Sequence, residues 1–187
     1  MTQLKEVLLA IPEELAKDPK ALHEAVYRDF SASSTERTFI YTVEFQPFCA
    51  VLVRSDRIDA RYGANTLAPS YDPEIDTYDF RIIASPVKRA GNGRNKLRAL
   101  NYGPVDFDGR RDWLGRQGER HGFTLEGEIE VSTQAIRIAH HGNMIIDRSI
   151  FQGQLRVTDH TAFGQAYATG IGRNKAYGYG LIQLFQQ

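Results

Sequence analysis

A lysine, a histidine and a tyrosine share one side of a predicted helix near the N-terminus. Lys20 stands three residues before His23 and Tyr27 four after it, a spacing that stacks side chains along a helical face. An imidazole exchanges a proton near neutral pH, an ammonium steadies the charge of a phosphorane, and a phenol orients or deprotonates a hydroxyl. Together they suit acid–base chemistry at a phosphate ester. A surface histidine on an amphipathic helix shows the same spacing, so these residues alone leave both readings open.

A second group lies close to the C-terminus, where Gly170, Gly172, Gly178 and Gly180 enclose Arg173 and Lys175. Such glycine density permits positive φ angles and lets backbone N–H groups approach a ligand, while the two cations supply charge for phosphate. The nucleotide P-loop requires Gly-Lys-Ser/Thr, and the dinucleotide fingerprint requires a third glycine where Lys175 stands. Both motifs also lead from a strand into a helix. Here a helical pattern (Ala162, Ala166, Tyr167) precedes the glycines and a terminal strand (Leu181, Ile182, Leu184, Phe185) follows. A mononucleotide enzyme is not expected, and a plain glycine hairpin turn is the competing reading.

The third group is basic. Residues 81 to 121 carry 10 basic and 4 acidic side chains, whereas residues 1 to 80 carry 8 and 14, within a chain of zero formal net charge. Lys88, Arg89, Arg94, Lys96 and Arg98 stand among Gly91, Asn92, Gly93 and Asn95 with no acid between them. This reads as a basic loop for a nucleic-acid backbone, set against the plainer reading of a solvated connection.

Metal and cofactor chemistry find no support in the sequence, and the expectation is that neither is used. There is no Cys/His cluster at zinc spacing and no His-Glu-x-x-His, and Asp106 with Asp108, or Asp56 with Asp59, lack the further carboxylates of a two-metal site. His121 precedes Gly122 at an expected helix end, where a cation suits the helix dipole. His140 and His141 are adjacent, would face opposite ways on a strand, and sit by a Gly-Asn turn; His160 opens a helix after Asp159. The single cysteine, Cys49, lies in the apolar run Phe48 to Val53 and reads as a buried strand residue. With no run of about 20 apolar residues and no signal core, the chain is expected in the cytoplasm.

The elements that must position these groups follow from periodicity. A strand is expected over Leu4–Ile11, then a helix capped by Asp18 with Pro19 at its first position and Leu22, Ala25, Val26 and Phe30 on its apolar face. Strands follow over Phe39–Phe45 and Phe48–Arg54, then a turn-rich stretch over 57–77 with at most a short helix, then a strand over Tyr78–Ala84 that closes the first half. The second half reads as a helix over Asp108–His121 bearing Trp113 and Leu114, strands over Thr124–Ser132, Ala135–Ala139 and Arg148–Val157, a helix from Asp159 to Gly170, the glycine loop and the terminal strand. The expected fold is α+β: tandem ferredoxin-like (RRM-like) units over 1–88 and 89–187, ending in the glycine-rich loop.

Several segments, taken in order, resemble a known family. They are Ala21–Val26, Arg37–Glu44, Phe80–Pro86, Asp112–Phe123, Phe151–Asp159 and Gly170–Leu181. They span nearly the whole chain and are similar to the CasE-type CRISPR RNA endoribonucleases of type I-E systems, in the repeat-associated superfamily with glycine-rich loops. The most specific are Gly170–Leu181 and Gly118–Phe123. The resemblance implies cleavage of precursor CRISPR RNA at the base of each repeat hairpin, without metal. The 2′-hydroxyl would attack the adjacent phosphate, leaving a 2′,3′-cyclic phosphate and a 5′-hydroxyl. It further implies retention of the product and membership of a multi-subunit surveillance complex. His23 falls on the family's catalytic histidine, Arg173 and Lys175 in its glycine loop, and Lys88 to Arg98 near its RNA-contacting segment. Many members carry a tyrosine where this chain has Lys20, so Lys20 or Tyr27 is expected to take over that role. The same departure keeps open a noncatalytic RNA-binding subunit.

Overall fold

The computed structural model describes residues 4–31, 39–45, 48–89, 97–99, 107–138 and 144–185. Two four-stranded antiparallel sheets carry it. The first is built from β1 (Lys5–Ala10), β2 (Phe39–Glu44), β3 (Ala50–Ser55) and the two-residue β4 (Thr66–Leu67), in the order β2-β3-β1-β4. The second holds β5 (Thr77–Ala84), β8 (Phe123–Ile138), β9 (Met144–Val157) and β10 (Ile182–Phe185), in the order β10-β5-β9-β8. Between them in sequence lies a small hairpin, β6 (Val87–Arg89) paired with β7 (Leu97–Ala99). Each large sheet places its third strand between its first and second and its fourth outside the first, which is the ferredoxin-like arrangement expected twice. No helix among the described residues is long and apolar enough to cross a membrane.

Among the described residues four α-helices accompany the sheets: α1 (Glu13–Lys17), α2 (Pro19–Phe30), α3 (Phe107–His121) and α4 (His160–Thr169). α2 starts where the sequence places it. The Asp18 carboxylate accepts from the backbone N–H groups of Lys20 and Ala21 at 3.0 Å, and Pro19 takes a position whose N–H would have no helical partner. Leu22, Val26 and Phe30 are buried against Val7, Phe39, Tyr41, Val51 and Val53 of the first sheet, each worth about 1.5–3 kcal/mol of apolar burial. The larger core joins Trp113 and Leu114 of α3 and Phe163, Ala166 and Tyr167 of α4 to Tyr78, Phe80, Ile82, Phe151 and Leu155 of the second sheet.

Four expectations are corrected. The strand over Thr77–Ala84 does not close the first sheet but lies inside the second, paired with β9 and β10, so the sheets part between Leu67 and Thr77, ahead of the expected division at 88. Strand adjacency in sequence says nothing of sheet membership, and the apolar face of β5, Tyr78, Phe80, Ile82 and Ala84, belongs to the larger core of the second unit. The strands expected at 124–132 and 135–139 form one, β8, because Ser132, Thr133 and Gln134 keep their ladder with Ile150, Ser149 and Arg148 despite polar side chains. α1 was not expected. Cys49 is half-buried and precedes β3.

The outer face of the first sheet is closed by the second unit. Ile40 and Leu52 pack on Leu181. Beside them Arg54, 0% exposed, binds the Glu6 carboxylate at 2.6 Å and donates to the backbone oxygens of Tyr167 and Ile182 at 2.6 and 2.7 Å. Its guanidinium lies 3.4 Å from the Tyr167 ring centroid, and the Tyr167 hydroxyl donates to Glu6 at 2.8 Å. The ion pair lies within the first sheet, and the guanidinium's remaining bonds and the Tyr167 hydroxyl carry it across the seam, the further hydrogen bonding under which a buried ion pair is tolerated.

Candidate active site

The glycine loop crosses from the second unit to α2. It leaves α4 at Gly170, turns through Asn174 in the left-handed region (φ 59°) into a single 3-10 turn over Lys175–Tyr177, and enters β10. The Tyr41 hydroxyl donates to the Ala176 carbonyl at 2.5 Å, and Asn174 donates to the Ser85 hydroxyl at 3.0 Å. These two bonds tie the turn to both sheets.

This anchoring sets Tyr177 beside His23, with ring centroids 6.4 Å apart in an edge arrangement. Tyr27, one helical turn beyond His23, lies 5.7 Å from the same imidazole. The imidazole is thus flanked by one phenol from its own helix and another from a loop about 150 residues away, in the range of favourable aromatic geometry. Lys20 lies one turn earlier on α2, with its ammonium 3.5 Å from the Glu24 carboxylate in an exposed pair. Lys20, His23 and Tyr27 share a face as expected. Tyr177, by contrast, stands within the glycine run, and its place beside His23 carried no sequence signal.

The glycines serve the loop's own packing. A methyl group on Gly170 (φ 72°) would lie 1.8 Å from the Ile40 Cδ1, and one on Gly180 (φ 93°) 2.2 Å from the Ile171 carbonyl oxygen. The N–H groups of Gly170, Gly178 and Gly180 donate to Ala166, Lys175 and Ile83 carbonyls. Backbone donors at these three glycines are therefore engaged, which differs from the open phosphate cradle expected. The Lys175 ammonium donates to the Gly170 carbonyl at 2.6 Å. Arg173 is exposed at the loop's tip and takes part in no ion pair among the described residues.

His121, at the end of α3, faces this loop. Burial first, then the charges of Lys175 and Arg120, hold its imidazole below the usual histidine range. His160 pairs with Asp76 at 3.0 Å and meets the Tyr71 hydroxyl at 3.0 Å, away from His23. In the basic segment Lys88 pairs opposite Arg98, and Arg89 opposite Leu97, on the β6–β7 hairpin. Arg94, Lys96, Asp106, His140 and His141 lie outside the described residues.

The model of the CRISPR associated protein family matches residues 4–185. No curated protein matches the chain. Among solved structures, Thermus thermophilus Cse3, bound to an RNA representing a pre-cleavage complex, is similar with a TM-score of 0.77 and 22% identity, covering 98% of this chain and 100% of that one. The CRISPR-associated protein Cas6e from Escherichia coli str. K-12 has a TM-score of 0.72 and 18% identity, with 96% and 98% covered. A chain of a CRISPR RNA-guided surveillance complex has a TM-score of 0.63 and 21% identity, with 97% of each covered. At these identities the likeness is one of fold.

Proposed function

The chain belongs to the CRISPR-associated protein family, and from that premise we propose that it is a CasE-type endoribonuclease that cuts precursor CRISPR RNA at the base of the repeat hairpin. The observation that carries this reading is the convergence on His23 of Tyr27 and the glycine-loop Tyr177. Supporting it, a relative of the same fold is described as bound to an RNA before cleavage, and another belongs to an RNA-guided surveillance complex. We accordingly assign this chain the repeat hairpin and the other subunits of such a complex as partners, with retention of the cut RNA.

In the proposed reaction the 2′-oxygen bonds to the adjacent phosphorus as the bond from phosphorus to the 5′-oxygen breaks. His23 accepts the 2′-hydroxyl proton, and the leaving oxygen takes a proton from solvent to become a 5′-hydroxyl, the other product ending in a 2′,3′-cyclic phosphate. The flanking phenols of Tyr27 and Tyr177 fix the imidazole, and Arg173 and Lys20 supply positive charge to the phosphate. In-line attack demands an unusual RNA backbone geometry, so much of the rate comes from positioning. The hairpin stem, read by shape and backbone, falls to Lys88, Arg89, Arg94, Lys96 and Arg98. No metal or cofactor enters this scheme.

The test is a denaturing-gel assay on a repeat-hairpin RNA in excess EDTA. Wild type should give a single cut that His23→Ala loses. Tight binding without a cut would favour a noncatalytic RNA-binding subunit, and a cut abolished by the chelator would favour a metal nuclease.

A further inference from the structure

Beyond His23 the molecule opens into a cleft of about 850 Å³ between α1, the N-terminal turn of α2, the end of β2, and the face of the second sheet that α3 and α4 leave uncovered. Tyr177 belongs to both places, touching the imidazole and lining the cleft. Pro19 and Leu22, on the same helix as His23, form part of the wall. Phe45 and Phe185 stand at its edge, 42% and 51% exposed. Exposed phenylalanines around a cavity are a platform awaiting a flat apolar partner.

The charges select that partner. The lining contains three cations, Lys17, Arg81 and Arg148, and one carboxylate, Glu44; Lys17 is paired with Glu13 on its own helix. Glu44 is already engaged by Arg81 and accepts from Gln183 at 3.1 Å. Arg148 takes part in no ion pair among the described residues, and its guanidinium carbon lies 5.9 Å over the Phe45 ring. Burial draws that guanidinium below its usual range, yet an arginine stays charged at neutral pH. A half-desolvated cation beside an exposed aromatic ring offers a phosphate a strong charge-assisted bond and its attached base a stacking surface.

Resting on the functional reading above, we propose that this cleft seats the unpaired nucleotides that continue the RNA strand past the cut phosphate, with a backbone phosphate on Arg148 and bases on Phe45 and Tyr177. Tyr177, beside His23 and in the cleft lining, joins the two places. Stacked aromatics and cations without free carboxylates fit a single strand better than an acidic or apolar peptide. The cleft therefore makes the unpaired flank a determinant of affinity as well as the stem.

The experiment uses the full chain and repeat hairpins blocked by a 2′-deoxy nucleotide at the cut site, carrying either no nucleotides or four unpaired nucleotides beyond it. Fluorescence polarisation gives the ratio of the two affinities. Wild type should bind the tailed RNA about tenfold more tightly, within the range of one or two stacked bases. Arg148→Gln and, separately, the exposed Phe45→Ala should bring that ratio close to one. A ratio near one for wild type, or a ratio unchanged in both variants, overturns the proposal. So does a result in which the variants keep the ratio but fail to assemble with partner subunits, which would assign the cleft to a protein. Wild type that neither binds nor cuts the untailed hairpin would bring down the functional reading, and this inference with it.

Discussion

The two ferredoxin-like units obey one strand order and differ in how they are completed. The second has a 10-residue helix before its last strand, two helices on one face and a continuous core running from Tyr78 to Leu184. The first replaces that helix with a 3-10 turn over Ala60–Asn65 and ends in the two-residue β4. Its outer face is finished by Leu181, Tyr167 and the backbone of Ile182 from the other unit. The lesson is one of dependence: the unit that carries His23 is braced by its neighbour, and the brace runs through the same glycine loop that delivers Tyr177.

Breaking the seam should therefore have the largest effect. Arg54→Ala leaves Glu6 buried without its cation and two carbonyls without donors, and should cost about 3–5 kcal/mol in chemical denaturation. A loss within the roughly 0–1 kcal/mol of a solvent-exposed pair would show that the seam does not depend on it. Gly180→Ala comes next. Strain at its positive φ alone should cost about 1–3 kcal/mol, with the contact on the Ile171 carbonyl adding to it, and both units should lose stability in one transition. Separate transitions would show that the loop does not couple them.

Asp18→Ala acts on the first unit alone. Removing the cap of α2 should cost about 1 kcal/mol and Asp18→Asn much less. The smallest effect is one of pH. His121 is held below its ordinary value of 6.5 by burial and the cations around it, so the unfolded chain binds its proton first as pH falls. Stability contributed by the neutral ring is thus present above about pH 6.5 and declines below it. Thermal melts of His121→Gln should show a shallower fall between pH 7 and 5 than wild type. An identical fall would remove His121 from the loop's support.

Much of this arrangement could be read from residue patterns, for reasons that differ by element. Asp18-Pro19 and the Leu22/Val26/Phe30 stripe mark α2 because capping and periodicity are local. The position of β5 was misread because pairing is set by distant strands, and α1 escaped notice because five residues carry too little periodicity. Arg54 did leave a trace, a charge closing the apolar run Val51–Val53, yet its partners Glu6, Tyr167 and Ile182 come from three other elements. The same holds for the site: His23 and Tyr27 are one helical turn apart, whereas Tyr177 meets them only through the folded loop. The glycines announced an unusual backbone, and its use in close packing emerged only in three dimensions.

If the site is assembled from both units, a double-mutant cycle on His23 and Tyr177 must reveal their coupling. Single-turnover cleavage of the repeat hairpin would be followed for wild type, Tyr177→Ala, His23→Ala and the double variant, with thermal melts alongside. Tyr177→Ala should slow wild type by about 10- to 100-fold, as loss of a positioning group does, and should cost nothing further once His23 is gone. An equal loss in both backgrounds, or no loss at all, would contradict the account.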